Sequence, residues 1–377
     1  MDDSRDVGII GAGIVGLAHA WAAARRGHRV TVFERRQTAA GASVRNFGMV
    51  WPIGQPAGEL RTIALRSRQA WLDLARDAGL WVNPCGSIHL ANRADEWAVL
   101  EEFAAEAPAL GYDCTLLTHN EVLQRSPAAN PEGLLGGLFS ASELCVNPRD
   151  AVRALPEWLA GRFGVRFAFG TTIVDIGSGG VRSADGRRWD CHRTLVCAGA
   201  DFETLFPQVF AASGLQRCKL QMLKTARQPA SWTLGPHLAS GLTLRHYANF
   251  EVCPSLALLK QRIAAETPEL DRFGIHVMAS QNDQGAVILG DSHEYGRAIE
   301  PFDKAEIDDL ILRELRRLIR LPDWTIAERW HGVYAKHRDQ PLFEAEPLPE
   351  VRICTGTGGA GMTMAFGLAE RCWELWP

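Results

Sequence analysis

Apolar and polar positions fall into a clear order at the start of the chain. Val7-Gly8-Ile9-Ile10 is a short apolar run, and an alanine-rich segment follows as far as Arg26. Gly27 interrupts it, and Arg29-Val30-Thr31-Val32-Phe33 is apolar again up to Glu34. Run length and composition predict strand, helix and strand. Leu60, Ile63, Ala64, Ala70, Trp71 and Leu74 recur at helical spacing, so a helix is predicted over 58–79. Others are predicted over 95–110, over 118–125 with Thr118 near its cap, and over 150–163. Ile307, Leu310, Ile311, Leu315 and Ile319 give the segment 304–321 one apolar face, which leaves its arginines as a solvated one.

Strand patterns fill much of the rest. A strand pair is predicted over 80–90 around Asn83-Pro84-Cys85-Gly86, with short strands at 165–169, 173–176 and 181–183. A buried strand at 194–200 ends in the small residues Ala198-Gly199-Ala200. The runs 218–224, 242–247, 274–279 and 286–290 follow one another without long helices between them, which predicts an antiparallel sheet. Near the end, strand 351–354 leads through Thr355-Gly356-Thr357-Gly358-Gly359-Ala360-Gly361 into a helix marked by Met362, Ala365, Phe366 and Ala369.

The first strand–helix–strand unit carries candidate chemistry. Gly11-x-Gly13-x-x-Gly16 joins its strand to its helix. In such a turn the first glycine makes the bend, the second lets backbone approach a pyrophosphate, and the third lets helix and strand pack closely. The helix beginning near Ile14 and Val15 presents N–H groups and the positive end of its dipole to phosphates. Glu34 stands where an acid accepts a hydrogen bond from an adenosine ribose. The glycine loop ahead of Met362 and Thr363 offers a second set of convergent N–H groups.

Composition narrows the classes. The 377 residues are 46% hydrophobic and 22% charged, with a net charge of −4. Those totals carry no nucleic-acid footprint. Nine cysteines without a CxxC argue against a disulfide framework or zinc ribbon, and six of the eleven histidines lie between 237 and 337 without metal-ligand spacing, so no metal is expected. No signal-peptide pattern opens the chain and no apolar run approaches the ~20 residues that span a bilayer. The expectation is a cytoplasmic protein with neither membrane insertion nor nucleic-acid binding.

Small residues at 39–43 precede Ser43-Val44-Arg45-Asn46-Phe47-Gly48, where Ser43, Arg45 and Asn46 offer donors to anionic oxygens. The dinucleotide turn, this Gly-Ala-Ser-x-Arg-Asn element and the glycine-rich tail together resemble the D-amino-acid oxidase superfamily of flavoproteins, which includes glycine and sarcosine oxidases. The resemblance spans essentially the whole chain. Arg45-Asn46-Phe47-Gly48-Met49-Val50-Trp51-Pro52-Ile53-Gly54-Gln55 more narrowly resembles a bacterial subgroup associated with aminophosphonate breakdown. The resemblance implies an α/β fold: a Rossmann-like FAD-binding domain from 1–80, 141–214 and 326–377, interleaved with an α+β substrate domain from 81–140 and 215–325 built on an antiparallel sheet. FAD contacts are expected at Gly11, Gly13, Ile14, Val15, Gly16, Glu34, Arg35, Ser43, Arg45, Asn46, Gly48, Gly199, Gly358, Gly359, Gly361, Met362 and Thr363. The segment 327–341 resembles the family's strand crossing to the flavin. It lacks the cysteine that tethers the cofactor in sarcosine-oxidase relatives, so a non-covalent FAD is expected.

The activity so implied is oxidation of a small zwitterionic amine, 2-aminoethylphosphonate or its N-methyl form, to an imine and then an aldehyde. Oxygen would take the electrons and leave hydrogen peroxide, or another electron acceptor would replace it. Oxidation of glycine, sarcosine or a D-amino acid, and a quinone-linked dehydrogenase, are the alternatives on the same fold. A phosphonate needs several cationic donors. Arg245 and Tyr247 on the predicted strand 242–247 and Lys336 and His337 on the crossing strand are the candidate substrate residues, with Arg45, Lys219 and His246 as further donors. Arg245 is the first choice among them.

Overall fold

The computed structural model describes residues 5–177 and 179–376. Its first sheet has six strands in the order Phe343–Leu348, Val351–Thr355, Arg193–Val196, Asp6–Ile10, Arg29–Glu34, Arg166–Phe169. All neighbours run parallel except the first pair. Parallel strands bury both faces. On one side the helices Ile14–Arg25, Pro148–Phe163 and Gly361–Glu374 close a core that includes Val7, Ile9, Leu17, Leu155 and Phe366. On the other, Ile10, Phe33, Val196 and Ile353 pack against Ile173, Ile176 and Val181 of a small three-stranded antiparallel sheet.

The second large sheet has nine strands, among them Ser87–Ala91, Cys114–Thr118, Gly136–Ser140, the long Leu215–Arg227 and Ile326–His337. It is antiparallel but for one pair, His237–Ala239 beside Ser87–Ala91. The crossing strand Ile326–His337 pairs along most of its length with Leu215–Arg227 and so belongs to this sheet. Helices Ala94–Glu106, Leu256–Glu266 and Ala305–Leu318 cover it through Phe103, Leu259 and Ile311.

Four local expectations need correction. Residues 242–247 form no strand: Gly241–Arg245 is a 3-10 helix opened by Thr243, whose N–H and hydroxyl both bond to Ser240 O. Leu242, Thr243 and Leu244 are all buried, so the apparent apolar–polar alternation is not a two-faced strand. The strand pair over 80–90 is two strands in different sheets, since Val82–Asn83 pairs with Leu144–Val146 and Ser87–Ala91 with Gly136–Ser140. In 274–279 only Met278 onward is strand. The strand through 218–224 is buried on both faces rather than one. Lys219 bonds to the carbonyls of Glu300 and Phe302 and pairs with Asp303, and Gln221 reaches Lys304 O and Asp308. Polar residues there satisfy the interior instead of marking a solvent face. Among the described residues no helix is long and apolar enough to cross a membrane.

Candidate active site

The glycine turn has the geometry its sequence demands. Gly11 sits at φ +107, and a Cβ there would lie 2.4 Å from Cys197 O. A Cβ on Gly16 would meet Gly11 O at 1.9 Å, so only glycine allows helix and strand to come this close. Ile14 N, first in its helix, donates to Ser43 Oγ at 2.9 Å, and no acid occupies the first turn. Glu34 ends the second strand with both carboxylate oxygens engaged, accepting from Ala12 N and Arg36 N at 3.0 Å each. This fixes the acid at the mouth of the turn.

A cavity of about 1090 Å³ runs from this turn to the large sheet. Gly11, Gly13, Ile14, Val15, Glu34 and Arg35 line one end, followed by Ser43, Arg45, Asn46 and Gly199. Gly358, Gly359, Gly361, Met362 and Thr363 line it as well, as do Tyr247, Lys336 and His337. Several of these side chains also hold the wall together. Asn46 donates to Ala42 O and Ser43 O and accepts from Gly48 N, Arg45 donates to His331 O, and Arg35 pairs with Asp201. Thr363 Oγ1 accepts from Trp51 N, and Met362 O from Trp71 Nε1. His337 Nδ1 accepts from Asp339 N and Gln340 N, so that nitrogen serves the turn that follows.

Four expected residues are not on the cavity wall. Gly16 acts through packing, as described. Gly48 has φ +74 and faces Val146 O, 2.1 Å from where its Cβ would be, so its role is backbone approach between segments. Arg245, the first choice for the substrate anion, points elsewhere. Its guanidinium lies 3.1 Å from Asp271 and donates to Ile275 O at 3.1 Å. With the 3-10 turn in place of a strand, the chain presents His246 and Tyr247 to the cavity and turns Arg245 away. Lys219 is likewise consumed in the interior.

The cavity is also lined by residues that sequence patterns did not single out: His276, Asp291, His293, Tyr295 and Tyr334, beside His246 and Tyr247. They come from separate elements, so no spacing announces them. His276 Nε2 stands 3.2 Å from Asp291 Oδ1, close but out of line for a hydrogen bond. Burial, reinforced by neighbouring imidazoles and by Arg245 and Lys336, holds His246 and His276 well below the usual imidazole range. Burial brings His293 to about 4 and pushes the Asp291 carboxyl far up, disfavouring its charge. Burial also raises the Tyr247 and Tyr334 phenols, which keeps both as donors. Lys336 has no carboxylate partner among the described residues.

Residues 6–375 match the family described as FAD dependent oxidoreductase. The chain belongs to that family. Glycine oxidase of Geobacillus kaustophilus is 28% identical over 208 residues, which is 52% of this chain and about half, 54%, of that protein. An opine oxidase chain of Rhizobium meliloti is 23% identical over 90% of this chain and 84% of its own length. D-amino acid dehydrogenase of Paramagnetospirillum magneticum is 26% identical over 95% and 92%. Among solved structures, glycine oxidase from Geobacillus kaustophilus superposes with a TM-score of 0.77 at 19% identity, covering 98% of this chain and 95% of that one. L-proline dehydrogenase from P. horikoshii gives 0.76 at 19%, covering 100% and 94%. These two likenesses show the fold.

The residues fit the family's FAD. Gly41 and Gly199 border the cavity with nothing within 4 Å of an added Cβ, leaving backbone open to a ligand. The helix N-terminus at Ile14 and Ser43 would hold the pyrophosphate, Glu34 the ribose, and the Gly358–Gly361 loop the isoalloxazine edge. When bound, FAD supplies the two-electron acceptor.

Proposed function

We propose that this FAD-dependent oxidoreductase oxidises the C–N bond of a small zwitterionic amine, and that the amine is an aminophosphonate such as 2-aminoethylphosphonate or its N-methyl form. One observation carries the reading. The stretch on which the aminophosphonate resemblance rests forms a wall of the cavity itself, through Arg45, Asn46, Phe47, Met49, Trp51 and Gly54, and Lys336 lines the same cavity. An anionic group finds a cation there, while Asp291, with its charge disfavoured, does not repel it.

The chain's own residues position the substrate. Lys336 holds the anionic end, and Trp51, Tyr247 and Met278 form an apolar wall that excludes water from the reacting carbon. An amine bound neutral loses a C–H beside nitrogen together with its electron pair, so no ionised base is required, and none is supplied by the raised Tyr247 and Asp291. Water then adds to the imine and releases ammonia or methylamine with the aldehyde. The electrons pass to oxygen, giving hydrogen peroxide, or to another acceptor.

The names of the relatives favour a second reading, oxidation of an amine that carries a carboxylate, such as glycine or a D-amino acid. Steady-state turnover of matched pairs decides between them. The expected result is a kcat/KM for 2-aminoethylphosphonate or its N-methyl form at least tenfold above that for glycine, sarcosine or D-alanine; the reverse order assigns the carboxylate class.

A further inference from the structure

Three imidazoles meet at the substrate end of the cavity from three separate segments. His246 follows the 3-10 turn, His276 precedes strand Met278–Gln281, and His293 follows strand Ala286–Gly290. Their ring centroids lie 4.2, 5.0 and 5.5 Å apart, and one nitrogen of each falls within 4.8 Å of the others. The remaining contacts are already spent on the protein: His293 Nδ1 meets Gly274 O at 3.0 Å, and His276 Nε2 faces Asp291. His246 Nε2 and His276 Nδ1 are buried with no hydrogen-bond partner among the described residues. Buried polar atoms are seldom left so, and two of them beside a cavity point to a ligand.

We infer that His246, His276 and His293, on a cavity that Lys336 also lines, form a subsite for a tetrahedral, doubly ionisable group, a phosphonate or phosphate ester, in preference to a carboxylate. The inference rests on the proposed function and specifies which residues would take the anion. One cation with a bidentate partner satisfies a carboxylate, whereas a dianion needs several donors around one point. His246 and His276 can each turn a ring N–H to the group, while His293, whose Nδ1–H is committed to Gly274 O, offers its other nitrogen as an acceptor to a phosphoryl O–H. A phosphoryl group also keeps a proton that titrates near pH ~6, and a ring held neutral by burial can accept that proton in a hydrogen bond; a carboxylate, ionising near ~4, has none to offer. The groups facing the trio from neighbouring elements are Asp291, Tyr247, Tyr295 and Tyr334, and the charges of Arg245, Lys336 and Lys260 act on it from farther out. None of them brings a readily ionised carboxylate to the cluster.

The test titrates the FAD-loaded protein with methylphosphonate, inorganic phosphate and acetate after chelation, reading perturbation of the flavin's visible absorbance. Wild type, His293→Gln and His246→Asn are compared at equal flavin content. The expected result is at least tenfold tighter binding of the phosphoryl ligands than of acetate, and a loss of at least tenfold for them in each variant with acetate little changed. Phosphorus NMR of phosphate with wild type stands as evidence should a variant lose its flavin. Equal binding of phosphate and acetate, or variants matching wild type, overturns the subsite. So does phosphoryl binding that appears only with stoichiometric zinc, which would assign a metal centre instead. Substituting O-phosphoethanolamine for 2-aminoethylphosphonate separates the two phosphoryl sources. If aminophosphonates are oxidised and both variants bind them normally, only the subsite fails; if carboxylate amines alone are oxidised, the proposed function fails first.

Discussion

Trp51 N donates to Thr363 Oγ1 at 2.9 Å, joining the 45–55 stretch to the first turn of the last helix across 312 positions of sequence. Both residues are buried, so this single bond fastens two walls of the cavity. Thr363→Val keeps the shape and removes the acceptor. An orphaned buried N–H costs about 1–3 kcal/mol, so the urea midpoint should fall accordingly while Thr363→Ser stays near wild type. Equal midpoints for Val and Ser would show that the bond is immaterial.

Glu34 is held by two backbone N–H groups at the end of its strand, in place before any ligand arrives. Replacing it with Ala should weaken FAD binding by at least tenfold, about 1.4 kcal/mol, in titrations of the apoprotein. An unchanged affinity would remove Glu34 from the ribose site.

Arg245 lies against Asp271, off the cavity wall. Arg245→Met should therefore lower stability by about 1–3 kcal/mol, the cost of breaking a largely buried charged contact. The amine concentration that half-bleaches the flavin should stay within about twofold, well short of the tenfold that losing a charge-assisted contact to substrate would produce. A tenfold rise would return Arg245 to the site.

Burial holds His19 and His89 down to about 3 and His237 to about 4. The folded chain keeps these rings neutral, whereas the unfolded chain protonates them below about 6.5. Their stabilising effect is therefore intact above about 6.5 and lost as pH falls toward the folded values; each ring held near 3 costs about 2 kcal/mol by pH ~5. Both ring nitrogens of His19 lack partners among the described residues. His19→Leu should shallow the acid limb of the stability–pH curve by about one proton without loss at neutral pH. An unaltered slope would contradict the burial of a neutral ring.

How much of this was legible in sequence depends on whether a site is local. The turn from Gly11 to Gly16, the acid at Glu34 and the tail loop are each carried by a few adjacent residues whose chemistry is specific to the turn, and each contributes residues to the cavity wall. The 3-10 turn at 241–245 was not legible, because three successive buried residues mimic a strand when only apolar alternation is read. Read as a strand, the segment favours Arg245, whereas the turn brings its neighbour His246 to the cavity. Lys219 misled for a related reason: a lysine on a strand looks like a solvent face until the carbonyls of Glu300 and Phe302 are brought over it. The imidazole cluster lay beyond sequence altogether, since only the sheet brings 246, 276 and 293 together.

The most direct measurement is anaerobic reduction of the pure, FAD-loaded protein by a panel of amines, followed as loss of its visible absorbance. 2-Aminoethylphosphonate or its N-methyl form should bleach the flavin at concentrations at least tenfold below those required of glycine, sarcosine and D-alanine. Bleaching by the carboxylate amines alone, or by none of the panel, would contradict an aminophosphonate oxidoreductase.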